Sequence, residues 1–418
     1  MKRYSIQIFL VIAVSLVMQS CVKDTLHSTY TYFLPVYKSK AEVWQSIKSN
    51  SPQPLQKTGK LFLYGNYIFV NELNKGVHVI DNSNPKSPVN LSFIAIPGNV
   101  DIAVKNNTLY ADLYTDLICI DITDPGQAIL KKVIPKVFRE RDELTYGTND
   151  SSKYIVDWLK RETTDKSELE RNKDLGQPML WYSAASANAT APSVVGVGGS
   201  MARFTIVNNY LYTVGRASLA AFNISSSFDP VMKNLISPGW NIETIYPLKD
   251  KLFIGSQTGM FIYSINDPEN PERLGSFSHA CFNDPVIADD EYAYVTLRAT
   301  DASGCWGATA VQRNELDIVN ITNILQPVLA KIYDMTEPKG LSKDGDNLFL
   351  CDGAAGLKVF NTSNVYDIKL TKRITGINPF DVICNGGIAI VVATEGIYQY
   401  DYNDINNIKL ISKVSIIN

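Results

Sequence analysis

The sequence predicts an all-β fold, a seven-bladed β-propeller with four antiparallel strands per blade. Three observations point there. Twenty-two tyrosines, recurrent Asn-Pro and Asp-Pro pairs and almost no helix-length amphipathic pattern describe a β-rich chain with many turns. A unit of about 40 residues occurs seven times, the period of a propeller blade. Its strands are joined by short turns, which favour antiparallel neighbours over the parallel coils of a solenoid.

From the N-terminus, Lys2 and Arg3 precede an apolar run from Ile6 to Met18, broken only by Gln7 and Ser15. Such a run is a signal-peptide core and too short for a resident transmembrane helix. Residues 1–20 are therefore expected to be a signal peptide. Met18-Gln19-Ser20-Cys21 resembles a bacterial lipobox, which implies cleavage before Cys21 and a diacylglyceryl thioether on its sulfur. Acyl chains contribute about 0.8 kcal/mol per buried CH2, so several on one N-terminus would hold the protein on a membrane. Lys23-Asp24 resembles the surface-export signal of Bacteroidetes-type lipoproteins, which implies an outer-membrane, outward-facing location. An ordinary secretory signal with an incidental Cys21 is the alternative. Residues 21–59 are then a tether with a short helix, and 60–418 the propeller.

The blades are measured by the residue that opens an Asx-rich turn in each copy: Asp81, Asp121, Asn223, Ser264, Asn320, Asn361 and Asp401. Successive spacings are 40, 102, 41, 56, 41 and 40, so two copies carry insertions, of about 61 and about 15 residues. Short Asx side chains accept hydrogen bonds from backbone two residues on and close such turns. Five residues earlier, Gly76, Gly259, Gly356 and Gly396 are expected to supply a positive φ. A further strand precedes these elements, as at 60–64, 100–105, 204–208 and 381–384.

The larger insertion, 139–200, leaves the second blade's outermost strand, D, before the third blade's innermost, A. The smaller parts strands B and C of the fifth blade. Alternating strand directions put both on one face, and long excursions from a short-turned scaffold tend to carry function. Eighteen of the 36 residues from Arg139 to Asp174 are charged. The cluster Tyr154–Leu159 reads as a short helix docked by Trp158, and 183–200 as a flexible tether. A solvated loop and a lid or docking element both fit. Leaving Cys21 aside, five cysteines remain. Cys281 and Cys305 fall on the insertion face and are expected to form a disulfide in an oxidising compartment. Cys119, Cys351 and Cys384 fall inside strands and read as buried thiols.

The segments resemble the LVIVD-repeat family, a bacterial propeller group often found on exported lipoproteins. Its core is visible as GVHVID (76–81), LICID (117–121), LDIVN (316–320) and GLKVF (356–360), and longer matches are IPGNVDIAV (96–104), GGSMARFTIV (198–207) and DPVIADDEYAYVTLR (284–298). The resemblance spans about 60–418 and implies a fold and an export route. It brings no catalytic residues.

Chemistry is sparse. The mixed, mildly acidic charge, net −3 over the chain, gives no case for nucleic-acid binding. Three histidines, His27, His78 and His279, make a histidine-rich metal site or a serine triad unpromising, and no cofactor motif is found. What remains is a set of charged residues about 20 positions before each turn marker, at the start of strand A: Lys60, Asp101, Arg203, Glu243, Asp284, Lys339 and Asp381, with Arg298 at the mouth of the smaller insertion. They could bind a polar ligand or simply pair and plug the channel. The expectation is a monomeric, non-catalytic module binding protein or glycan through the insertion face. The alternative is an envelope hydrolase or lyase using Asp101, Asp284 and Asp381 as acid and base.

Overall fold

A computed structural model describes residues 29–143, 152–172, 197–279, 285–298 and 313–416. Among these, seven antiparallel sheets each hold four consecutive strands whose order in space, A to D, is their order in the chain. Blade 1 runs from Thr58–Tyr64 to Val89–Ala95, blade 2 from Ile102–Lys105 to Ile129–Ile134, blade 3 from Phe204–Val207 to Val231–Ile236, and blade 4 from Ile242–Leu248 to Glu272–Ser278. Blade 5 runs from Val286–Ala288 to Val328–Asp334, blade 6 from Leu341–Asp344 to Lys369–Ile374, and blade 7 from Pro379–Asn385 to Lys409–Ser415. Each strand A neighbours the next blade's, and blade 7's neighbours blade 1's, so the ring closes.

The turn markers do what their chemistry requires. All seven side chains accept the backbone N–H two residues on, at 2.8–3.2 Å. Gly76, Gly259, Gly356 and Gly396 have φ of 147°, 156°, 88° and 153°. At Gly76 a Cβ would sit 2.1 Å from the Ile94 carbonyl oxygen, so the turn needs glycine for space as well as for φ. Strands C and D pair with one register shift in every blade, which deepens the local twist.

The core lies between blades. The third residue of strand B is a fully buried aromatic in six of them: Phe69, Tyr110, Tyr212, Phe253, Tyr294 and Phe349. Where it is tyrosine, its hydroxyl finds a partner: Tyr110 and Tyr212 donate to Ser227 and Pro268 carbonyls of the following blade at 2.8 and 2.9 Å.

Much of the segment expected as a tether is built into the propeller. A helix, Lys40–Ser46, starts on a capping box between Ser39 and Glu42. Ser49–Asn50 pairs with the outer strand of blade 1, and Leu55 bridges to Ile416 beyond blade 7. Across the same seam the amides of Asn82 and Gln399 exchange two hydrogen bonds, at 3.0 and 2.6 Å.

Two local expectations inside 139–200 are corrected. Tyr154–Leu159 is strand, part of Lys153–Thr163, paired with Tyr30–Ser39. Its β-branched and aromatic side chains suit a pleated surface better than a helix, and the buried side chain is Tyr154 rather than Trp158. The end of the expected tether is also ordered: Val197–Gly198 pairs with strand A of blade 1, and Ser200 is completely buried where its Oγ accepts the Leu341 N–H of blade 6. A separate small unit comprises 29–36 and 157–172 among the described residues. In it Glu168, on helix Lys166–Asn172, accepts from Tyr32 and Thr163, both at 2.7 Å. No helix among the described residues is long and apolar enough to cross a membrane.

Candidate functional site

The charged positions at the starts of strands A fall into two groups. In the first, Lys60 Nζ meets Asp101 Oδ2 at 2.6 Å, and both side chains are almost fully buried. Asp101 also accepts the Arg203 and Ile102 N–H groups, so both of its oxygens are engaged. Arg203 turns its guanidinium to the Glu243 carbonyl at 3.2 Å, while the Glu243 carboxylate accepts from Gln257 at 2.9 Å. Burial pushes Lys60 down and Asp101 up, against their mutual attraction. In the second group Lys339 and Arg298 lie 3.0 and 3.8 Å from Glu337, which the sequence reading did not single out. Asp381 is fully buried and accepts the Val382 N–H at 2.7 Å. Asp284, and the cysteines Cys21, Cys281 and Cys305, lie outside the described residues.

Around the first group stands a network that sequence reasoning missed. Asp112 Oδ1 accepts from the Val100 and Asp101 N–H groups and from Asn99 Nδ2, all at 2.8 Å. Its Oδ2 takes Arg141, at the start of the large insertion, at 2.5 Å. One turn on, Asp116 is reached by Lys40 at 2.8 Å, by the Tyr154 hydroxyl at 2.7 Å and by the Lys136 N–H at 2.9 Å. The N-terminal helix and the insertion thus meet over one carboxylate of blade 2. Chemically these carboxylates are ionic cross-links, with their lone pairs used by fixed donors.

The same face carries an exposed element. Glu140 of the insertion accepts the Arg216 N–H at 3.0 Å, in the B–C turn of blade 3, and Arg216 Nε donates to Asn241 at 3.0 Å. Asn241 follows Trp240 in the link from blade 3 to blade 4, and Trp240 is 77% exposed. No other large apolar side chain among the described residues is so open. On the opposite face, a groove of about 420 Å³ between blades 5 and 6 is lined by Asp289, Tyr292, Tyr294, Lys343 and Tyr366.

His78 is buried against Glu72 at 2.9 Å, and burial pushes its pKa down. Cys119, Cys351 and Cys384 are buried thiols, and burial pushes Cys119 up to about 12. No group of three or more His, Cys, Asp or Glu side chains among the described residues is arranged to hold a metal.

Comparison with known proteins agrees with this architecture. The model of the LVIVD repeat matches residues 57–94 and 307–335. No curated protein matches the chain. Among solved structures, a Lactobacillus plantarum protein is similar with a TM-score of 0.55 at 11% identity, over 86% of this chain and 97% of that one. The Saccharomyces cerevisiae protein Sqt1 gives 0.51 at 7% identity, over 88% and 89%. A functionally unknown protein from Desulfotomaculum acetoxidans gives 0.50 at 11%, over 84% and 95%. At such identities the likeness is one of fold. The chain is a seven-bladed β-propeller in which residues 57–94 and 307–335 match the LVIVD repeat.

Proposed function

We propose that the chain is an exported, lipid-anchored propeller that binds a protein or glycan through its insertion-bearing face without chemistry. The observation that carries this reading is Trp240, 77% exposed on that face and next in sequence to Asn241, whose side chain accepts from Arg216. An open indole is the side chain that stacks on a sugar ring or fills a partner's pocket. The hydrolase alternative draws no support from Asp101, whose oxygens accept from Lys60, Arg203 and Ile102. A general acid or base needs a lone pair free to reach substrate.

Screening the chain on glycan and peptide arrays, alongside Trp240→Ala, tests the binding reading. Hits should weaken by on the order of tenfold or more in the variant. Hits that ignore the substitution, or turnover of a hit that disappears in Asp284→Ala, would count against it. The anchor has its own test. Radioactive palmitate should label the wild type, and label retained by Cys21→Ala would refute lipidation there.

A further inference from the structure

Blade 5 departs from the other blades in the charge it buries. Five and three residues before each turn marker, strand C presents two side chains on one face. The first is Gly76, Asp116, Ser218, Gly259, Glu315, Gly356 and Gly396 around the ring. The second is His78, Ile118, Ala220, Phe261, Asp317, Lys358 and Tyr398. Blade 5 alone has acids at both.

Elsewhere each buried charge in these two columns is answered. His78 meets Glu72, the last residue of strand B in its blade, at 2.9 Å, and Lys358 meets Asp352, the residue that follows strand B in its blade, at 2.5 Å. Asp116 is answered from outside its blade by Lys40. In blade 5 the residue closing strand B opposite Glu315 is Leu297. Glu315 is 7% exposed and Asp317 3%, and Glu315 Oε2 and Asp317 Oδ1 are buried without a hydrogen-bond partner. A buried carboxylate oxygen in that state carries its full desolvation cost.

The location is open to one kind of remedy. Tyr294 lies under Lys343 of blade 6, so by strand alternation Val295 and its cross-strand partner Asp317 face blade 4. Charged and titratable groups near them are His279, at the end of blade 4, Asp334, opposite Glu315, Arg298, next to Leu297, and the exposed Arg313, two residues before Glu315. By sequence, the flanking stretches 280–284 and 299–312 contain no Lys, Arg or His and add Asp284 and Asp301. Of the arginines that bound the smaller insertion, Arg298 lies 3.8 Å from Glu337 and Arg313 is exposed, so the two buried carboxylates keep a charge that one divalent cation would match. Both carboxylates project from alternate positions of a single strand, on the same side of it, so that each could donate an oxygen to one ion between them.

We propose that Glu315 and Asp317 form a binding site for a hard divalent cation, Ca²⁺ or Mg²⁺, in the cleft between blades 4 and 5 on the insertion-bearing face. The two carboxylates are the protein's charged ligands, and backbone carbonyls and water complete the shell. Oxygen-rich, incomplete sets of this kind suit Ca²⁺ and Mg²⁺, whereas Zn²⁺ selects nitrogen and sulfur ligands.

Calorimetric titration of the full, metal-stripped chain with CaCl2, MgCl2 and ZnCl2 tests this, with thermal melts under the same conditions. One Ca²⁺ or Mg²⁺ should bind per chain and raise Tm, and affinity should fall on the order of tenfold or more in Asp317→Asn and in Glu315→Gln. Asp334→Asn should bind as the wild type does. Near-UV circular dichroism establishes that the variants are folded. Four outcomes overturn the proposal: no saturable binding of Ca²⁺ or Mg²⁺, binding unchanged in both site variants, Zn²⁺ bound more tightly than either, or an oligolysine peptide bound without metal and lost in Asp317→Asn. The last would assign the cleft to a partner's cationic side chain.

Discussion

Blades 2 and 5 place an acid at the same point of the repeat and treat it in opposite ways. In blade 2, Asp116 is buried under Lys40 of the N-terminal helix and Tyr154 of the large insertion, with the Lys136 N–H as a third donor. In blade 5, Glu315 and Asp317 are buried with one oxygen each unpartnered. The difference does not come from the blade scaffold, which has the same strands, turn marker and C–D register shift in both. It comes from what the rest of the chain lays over the scaffold. A buried carboxylate with a fitted cation is a cross-link, and one without is a demand for a ligand.

Three measurements break or sharpen that contrast. The largest effect is expected on the answered side: Lys60→Met leaves Asp101 buried without its cation and should cost about 4 kcal/mol in urea unfolding. A loss below about 1 kcal/mol would mean that Asp101 is served by its backbone donors alone.

On the unanswered side the sign reverses. Burial, then Glu315, push the Asp317 carboxyl up to about 7 from 3.8, opposed by His279. The folded state therefore holds a proton that the unfolded state releases, so this group's contribution is full below about pH 4 and lost as pH rises to 7. Asp317→Asn, in chelator, should gain about 2 kcal/mol at pH 8 and much less at pH 4. Equal gains at both pH values would remove the buried charge as their cause. The smallest effect belongs to Lys40→Met, at about 1 kcal/mol, because Asp116 keeps three other donors. Urea midpoints at pH 7 measure it, and a loss as large as that of Lys60→Met would show Lys40 to be the dominant support.

The turn markers were legible in the sequence because they act over two residues: Asp81, Asp121 and their five counterparts each close the turn they begin. The glycines at 76, 259, 356 and 396 were legible for the same reason, being tied to local φ. What escaped was long-range. Nothing near Asp116 in sequence announces Lys40, 76 residues earlier. The run 197–200 looked like a tether because Gly and Ser leave no apolar signature, yet small residues are what fit beside Phe62 at the ring's inner edge. Asp317 was in plain view inside LDIVN. Reading the repeats in columns, with Glu72 and Asp352 set beside Leu297, would have exposed it. Trp240 gave no signal, since exposure of one aromatic in a short link is decided by packing.

The seam between blades 7 and 1 has a kinetic meaning. Most of the ring is made of contacts between neighbouring blades, which form over short stretches of chain. The Asn82–Gln399 pair joins residues 317 apart, and Leu55 meets Ile416 across nearly the whole propeller. Such closures bear the largest loop entropy and form late. Ring closure is therefore expected to be the slow step of folding, which stopped-flow refolding of a seam variant such as Gln399→Ala would measure.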